Sequence, residues 1–559
     1  MKLLRILSFR LFVLLPFLMA PVLVNAQSDP TGESPVTRTY AITNATIIPS
    51  PGAKIEGGTL LISDGVITAV GTTVNIPDHA QVIDGTELWI YPGFIDGMSN
   101  TGASRPDAME RPNNLFTPDP PNDYAGITPE ISVVEQLNIE ESSIESMRKL
   151  GFTVSHTVPY GRMLPGKSSL VLLTDVEHVD HMVLKENVAT VSQFVGAPGS
   201  YPGNTLGIMA KWRNIYRNAE LSKRNTEMYA SNPTGLARPA NDRVLEAFYP
   251  VVEKTQPMLF NASSLLEAQR AMRLQNEMGF NLMIGNLEQS WKIIDELDNN
   301  NVSVFLSLDL PEKPDEIDDE DKSEEVAELE ARRLEFYNRY MEQFAALKAA
   351  GIKFGFSTMD VSNSKIKKNL IALQEFGFDS TDALAALTTH PAELLGINNI
   401  TGTLEAGKMG NAIVTTGPYF SSDSDVKMVF VDGDKYEYEI KEGSKTEVSD
   451  EVLDAVIGTW NYSSTTPQGE QTGQLIFTNV DGAIEGVWTS DAGNPDIDMN
   501  NISYRDGVLT FDIEFDAGGQ LIEIVVTGDV VGNEYDAEAS IAAFNFSFPL
   551  MAIKQDPEN

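Results

Sequence analysis

From Thr39 the chain alternates apolar and polar residues in YAITNATII and TLLISDGVITAV, with Asp64-Gly65 between two such runs as a type I′ hairpin signal, so the segment is predicted to be β. Trp89 to Phe94 is a short apolar run of the kind expected for a buried strand. From there to about Leu395, helical periodicity alternates with short apolar runs: SSIESMRKL before GFTVSHTV, SSLLEAQRAMRLQNEMG before FNLMIG, EQSWKIIDELDNNN before VSVFLSL. Helix followed by strand, repeated over about 300 residues, predicts βα units on a parallel sheet. The span suits one (β/α)8 barrel of roughly 250 residues plus insertions. One insertion is the acidic run 311–328, PEKPDEIDDEDKSEEVAE, which reads as a solvated lid or helix cap rather than a metal cage.

After Gly402 the β patterning returns in NAIVTT and VKMVFVDGDKYEYEI, and a polar stretch at 441–450 reads as a linker. From Gly458 the rhythm changes to seven or eight short alternating strands in about 100 residues, with turns at Val480-Asp481-Gly482, Arg505-Asp506-Gly507 and Gly532-Asn533. That spacing argues for a small closed antiparallel barrel or a sandwich.

A length of 559 residues exceeds what one hydrophobic core serves and suggests three or four domains. With 42% hydrophobic and 21% charged residues, the composition is that of a globular protein. Against 40 Lys and Arg stand 80 Asp and Glu, a formal charge of −40 that argues against nucleic acid as a partner. There are no cysteines, which excludes disulfides, thiolate nucleophiles and Cys-ligated zinc. Metal chemistry is left with five histidines, His79, His156, His178, His181 and His390.

The N-terminus carries Lys2, Arg5 and Arg10, then an apolar run from Leu11 to Val24 broken by Pro16 and Pro21, then Val24-Asn25-Ala26. A basic start, a short apolar stretch and a small-residue cleavage site make residues 1–26 a secretory signal peptide, too short to span a bilayer. No later stretch reaches 18 apolar residues, so no integral membrane segment is expected in the mature chain, which would be secreted to the periplasm or outside the cell.

Two motifs carry a family resemblance. Tyr91-Pro92-Gly93-Phe94-Ile95-Asp96 resembles the first barrel strand of the amidohydrolase superfamily, close to its imidazolonepropionase-like branch. Leu384-Ala385-Ala386-Leu387-Thr388-Thr389-His390-Pro391-Ala392-Glu393-Leu394-Leu395-Gly396, followed by Gly402-Thr403-Leu404-Glu405-Ala406-Gly407-Lys408, resembles that superfamily's passage from the last barrel helix into its β-sandwich. The likeness covers about 39–440. It implies a (β/α)8 TIM-like barrel over 91–395, with a composite β-sandwich from 27–90 and 396–445. The module at 451–559 resembles lipocalin-like antiparallel β-barrels.

The resemblance also implies a divalent metal such as zinc at the barrel mouth, held by a His-x-His on the first strand, histidines after strands five and six and an aspartate after strand eight. A metal-bound hydroxide would then attack an amide-like carbon, hydrolysing a non-peptide carbon–nitrogen bond in a small molecule. This sequence departs from that pattern. The two first-strand positions are Met98 and Asn100, a poor zinc pair. The later histidine positions hold Asn261 and either Gly285 or Asn286, and Met359 stands at the aspartate position with Asp360 one residue on.

His178 and His181 fall in strand and loop, where an offset of three puts them on opposite faces. His390 reads as a structural cap, His79 as a surface residue, and His156 as either a core residue or one facing the mouth. No metal ligand set emerges. Two functions stay open: a metal-free hydrolase with Asp360 as catalytic base and Asp96, Asn100, Asn261 and His156 binding substrate, or a catalytically silent protein that holds a small-molecule ligand.

Overall fold

A computed structural model describes residues 38–106, 109, 111–314, 324–438, 440, 455–466, 469–480, 483–491, 496–505, 507–516, 521–541 and 546–555. Residues 1–26, read above as a signal peptide, the 441–450 linker, half of the acidic run and turn residues Asp481, Gly482 and Asp506 lie outside the described residues.

The N-terminal β segment comprises β1 (Thr39–Ile47), β2 (Ile55–Ser63), β3 (Val66–Gly71), β4 (Gln81–Asp84) and β5 (Trp89–Pro92). The Asp64-Gly65 turn joins β2 to β3, and both residues take positive φ (48° and 83°), as a type I′ turn requires. The apolar run from Trp89 divides at Gly93. A side chain there would collide with Thr153, so only glycine lets the chain pass from β5 into the first barrel strand.

The barrel strands are β6 (Phe94–Ser99), β7 (Phe152–Thr157), β8 (Gly166–Lys167), β9 (Ser169–Leu172), β10 (Val183–Lys185), β11 (Thr190–Gln193), β12 (Met258–Asn261), β13 (Leu282–Leu287), β14 (Ser303–Ser307) and β15 (Phe354–Ser357). Strands β6 and β7 pair in parallel, as do β11 through β15 in succession. The stave between these groups differs from a strict βα repeat: β9 runs antiparallel to β7 and β8 antiparallel to β11. The loop out of β7 is too short for the crossover that a parallel return needs, so the chain turns straight back. Side chains link β15 to β6, where Ser357 Oγ donates to the Met98 carbonyl at 2.7 Å and Thr358 Oγ1 to Asp96 at 2.6 Å.

Helices between strands carry local start and stop signals. Leu265–Met278, between β12 and β13, opens on a Ser264–Glu267 capping box and stops at Gly279 in the left-handed region. Its inner face buries Ala268, Ala271, Met272 and Leu274.

The chain then returns as β16 (Ala412–Thr415), β17 (Val426–Val431) and β18 (Asp434–Glu437). β16 pairs antiparallel with β5, so strands from both flanks of the barrel build one eight-stranded composite sheet of the sandwich domain. Arg148 fastens this domain to the barrel. Its guanidinium makes a two-pronged contact to Asp175 (2.9 and 3.0 Å), donates to Tyr438 Oη and lies 3.7 Å from the Tyr436 ring centre. Lysine cannot reproduce that planar fork. Arg148→Lys is expected to cost about 1–2 kcal/mol in chemical denaturation, and an unchanged midpoint would show that the clamp contributes nothing.

Eight strands from β19 (Gly458–Thr466) to β26 (Phe546–Lys554) form a closed antiparallel barrel in simple up-and-down order. In Glu534–Ile541 the alternation is plain: Tyr535, Ala537 and Ala539 are buried, while Glu534, Asp536 and Glu538 face out. Trp460, Phe477, Phe511 and Tyr535 are among the side chains of its core, and the Tyr535 hydroxyl donates to the Leu509 carbonyl at 3.0 Å.

Candidate functional site

Barrels of this kind place their chemistry at the C-terminal ends of the strands. Register fixes which side chains share a face there. Gln193, Asn261 and Gly285 are direct partners across β11, β12 and β13 and therefore lie on one face. Gly285 identifies that face as the interior, because a Cβ on it would sit 2.0 Å from the sulfur of Met98. Met98 is fully buried, so its thioether occupies the space beside β13 where a side chain at 285 would project. Lower in the barrel, Phe305 fills the room left by Gly97 and Gly355.

Asp96 and His156 belong to this interior and are fully buried, rather than lining an open mouth. Asp96 accepts from the Met98 and Thr358 amides at 3.2 Å each and from Thr358 Oγ1. Burial pushes its pKa up, against the pull of those donors. His156 Nδ1 lies 2.9 Å from the Gly97 carbonyl and Nε2 lies 2.7 Å from Ser168 Oγ. Because the carbonyl only accepts, Nδ1 carries the proton and Nε2 accepts from Ser168. Burial lowers the imidazole pKa to about 4.

Above this layer the strand ends are polar. Asn100 donates to the Val158 carbonyl at 2.7 Å, and Asn261 Nδ2 lies 3.5 Å from Gln193 Oε1. Between β13 and β14 the register slips, with Ile284 opposite Val304 but Leu287 opposite Leu306, which inserts one extra residue on β13. Asn286 sits in this bulge with φ 61°, and its Oδ1 is buried without a hydrogen-bond partner. Bulges locally disrupt the ladder and bend the strand that carries the extra residue.

Asp360, just past β15, is exposed and has φ 60°. Its charge, after burial and the opposing pull of Lys365, helps to raise the Asp309 carboxyl. Burial and the neighbouring Asp309 raise Glu288 in turn. Asn100, Asn261 and Asp360 thus stand at strand ends, while Asp96 and His156 lie among buried partners. Sequence reasoning named Asn286 only as one of two residues at a later ligand position, and missed Gln193, Glu288 and Asp309. These residues lie at or within two positions of strand ends, which was the available signal.

The remaining histidines form no centre among the described residues. His178 precedes and His181 ends a single 3-10 turn rather than alternating along a strand, which leaves their rings 6.0 Å apart. His390 lies within the short helix Thr389–Leu394 rather than capping it, and His79 is exposed. A cleft of about 300 Å³ between the segment after β14 and the helix Glu324–Ala349 is lined by Pro311, Arg332 and Tyr337 among others, and by none of the strand-end residues.

Residues 293–435 match the Amidohydrolase family, and that stretch runs from the helix before β14 through the return into the composite sheet. The chain carries an amidohydrolase-family domain. An amidohydrolase from Thermotoga maritima MSB8 is 22% identical and superposes with a TM-score of 0.58 over 71% of this chain and 100% of that one, which supports the amidohydrolase fold. Phenylurea hydrolase B is 16% identical, with a TM-score of 0.41 over 71% of this chain and 96% of that one. A Xaa-Pro dipeptidase with bound methionine is 14% identical, at 0.41 over 72% and 100%. No curated protein matches the chain by sequence.

Proposed function

We propose that this protein is an exported, metal-independent small-molecule-binding member of the amidohydrolase fold. The observation that carries the proposal is the packing of Met98 onto Gly285. Met98 puts a thioether where the family resemblance implies a metal ligand, and Gly285, one of the two residues at a later ligand position, has no side chain and leaves room for that sulfur. The other positions offer neutral carboxamides, Asn100 and Asn261, whose nitrogens are turned toward the Val158 carbonyl and Gln193. Zinc favours imidazole, thiolate and carboxylate, so this donor set does not fit the metal the family implies. The strand-end carboxamides and carboxylates remain suited to holding a polar ligand by hydrogen bonds. Export is supported by the basic, apolar and small-residue succession over 1–26. No helix among the described residues is long and apolar enough to cross a membrane.

A panel of amides, lactams and cyclic ureas, assayed with and without added zinc, tests the proposal. No turnover above the uncatalysed rate is expected, and zinc-stimulated hydrolysis would overturn it. The exposed Asp360 favours a second reading, a metal-free hydrolase with this carboxylate as general base. Under that reading zinc-independent turnover appears and Asp360→Asn abolishes it with little change in melting temperature.

A further inference from the structure

We propose that the protein associates head to tail, the outer wall of one copy's terminal barrel seating on the helix Thr205–Ser231 of a second copy. The inference is independent of the chemistry at the barrel mouth.

The terminal barrel supplies one face. Strand pairing sets Glu534, Asp536 and Glu538 of β25 (Glu534–Ile541) opposite Ile553, Met551 and Pro549 of β26. Leu550 and Ala552 are buried in the barrel, so the residues between them stand on its outside, and Met551 and Ile553 are 58% and 62% exposed. An acidic row therefore runs directly beside an apolar row, at the ~5 Å spacing of neighbouring strands. Exposed Val531, at the end of β24 (Leu521–Val531), pairs with Glu534 and widens the apolar surface. Inside, the Phe511 ring centre lies 5.8 Å from that of Phe477 and 6.4 Å from that of Tyr535, so packed rings take up the interior and recognition falls to the outer wall.

The helix between β11 and β12 supplies the complement. In a chain of formal charge −40 it is a basic element, with Lys211, Arg213, Arg217, Lys223 and Arg224 against Glu220 and Glu227. Its inner side buries Ile208, Trp212, Ile215 and Ala219. On the opposite side Arg217, Leu221, Arg224 and Met228 follow a helical spacing of four, three and four residues and so form one stripe. Leu221 and Met228 are 64% and 44% exposed. Arg213 and Lys223 are engaged with Glu277 and Glu227, whereas Arg217 and Arg224 form no ion pair among the described residues. The stripe rises about 16 Å, against about 14 Å for each row on the barrel, so arginines can reach the acidic row while the apolar side chains meet. Both faces are exposed in the single chain, so neither covers the other and each is left for another copy. Barrel against barrel, or helix against helix, would oppose like charges, which favours the head-to-tail pairing.

Sedimentation velocity of purified residues 27–559 tests the inference at about 0.1 M salt, where a Debye length of ~10 Å damps repulsion between whole chains but not charges in contact. The expected result is a mean mass that rises with protein concentration, because a head-to-tail contact can repeat. Leu221→Asp on the helix and Met551→Asp on the barrel, both at exposed positions, should each weaken association at least about tenfold. Arg224→Gln and Asp536→Asn, which leave the apolar side chains in place, should each weaken it about threefold. Leu266→Asp, at an exposed apolar position on the helix Leu265–Met278, should leave it unchanged, and melting temperatures confirm that each variant folds. Mixing the two aspartate variants decides the geometry. The intact barrel wall of one fits the intact helix of the other, so the mixture should form a paired complex that grows no further. A wild type that stays monomeric up to about 100 μM, association that either aspartate variant leaves intact, or a mixture that stays monomeric where the wild type associates overturns the inference.

Discussion

Gly285→Ala is expected to lower the unfolding free energy by about 2 kcal/mol, a large effect for one methyl group. The new Cβ would meet the Met98 sulfur at 2.0 Å, and Met98 is fully buried with neighbours on every side. A thioether is flexible enough to yield, which keeps the cost from being larger. Met98→Ala alone leaves a cavity and should cost about 2–4 kcal/mol. The two losses should not add. Once the thioether is gone the methyl at 285 has room, so denaturant titrations of the four proteins should show a coupling of about 1–2 kcal/mol. Strict additivity would mean that Met98 does not press on position 285, and the packing argument against a metal at the mouth would fail.

His156 should make the protein lose stability on acidification. Its pKa is about 4 in the folded protein against an ordinary value of 6.5, so the folded state holds the neutral ring more tightly than the unfolded chain does. The contribution is complete above the unfolded value, falls as pH drops through the interval, and is gone below the folded value. The difference corresponds to about 3 kcal/mol. Asp96 has the opposite sign: burial raises its pKa, so its contribution is present at low pH and falls as pH rises through the folded value. Comparison of the wild type with His156→Gln separates the two. The variant should be less stable at neutral pH, through loss of the Gly97 and Ser168 pairing, and the gap should narrow by about 3 kcal/mol toward pH 4. A constant gap would mean that His156 does not titrate differently on folding.

Much of the architecture was legible because it rests on local signals. Asp64-Gly65 announced its hairpin by a turn that needs positive φ at both residues, and the terminal barrel announced itself by alternation. The antiparallel stave at β8 and β9 was hidden, since SSLVLL reads equally well as a strand in either direction. At the candidate site, the residue types at Met98, Asn100 and Asn261 could be read directly by position. The dependence of Gly285 on Met98 could not, because it joins strands far apart in the chain through one buried contact. The proximity of Glu288 to Asp309 was obscured for a similar reason. An extra residue in β13 shifts the alternation, and period-two counting carries no sign of a bulge.

Zinc content of purified residues 27–559 after dialysis against zinc-containing buffer, then against metal-free buffer, measured by mass spectrometry, tests the central claim most directly. The packing of Met98 on Gly285 and the carboxamides at Asn100 and Asn261 predict that no stoichiometric ion is retained. One tightly held zinc per chain would contradict the account and return the protein to the metal-dependent hydrolases.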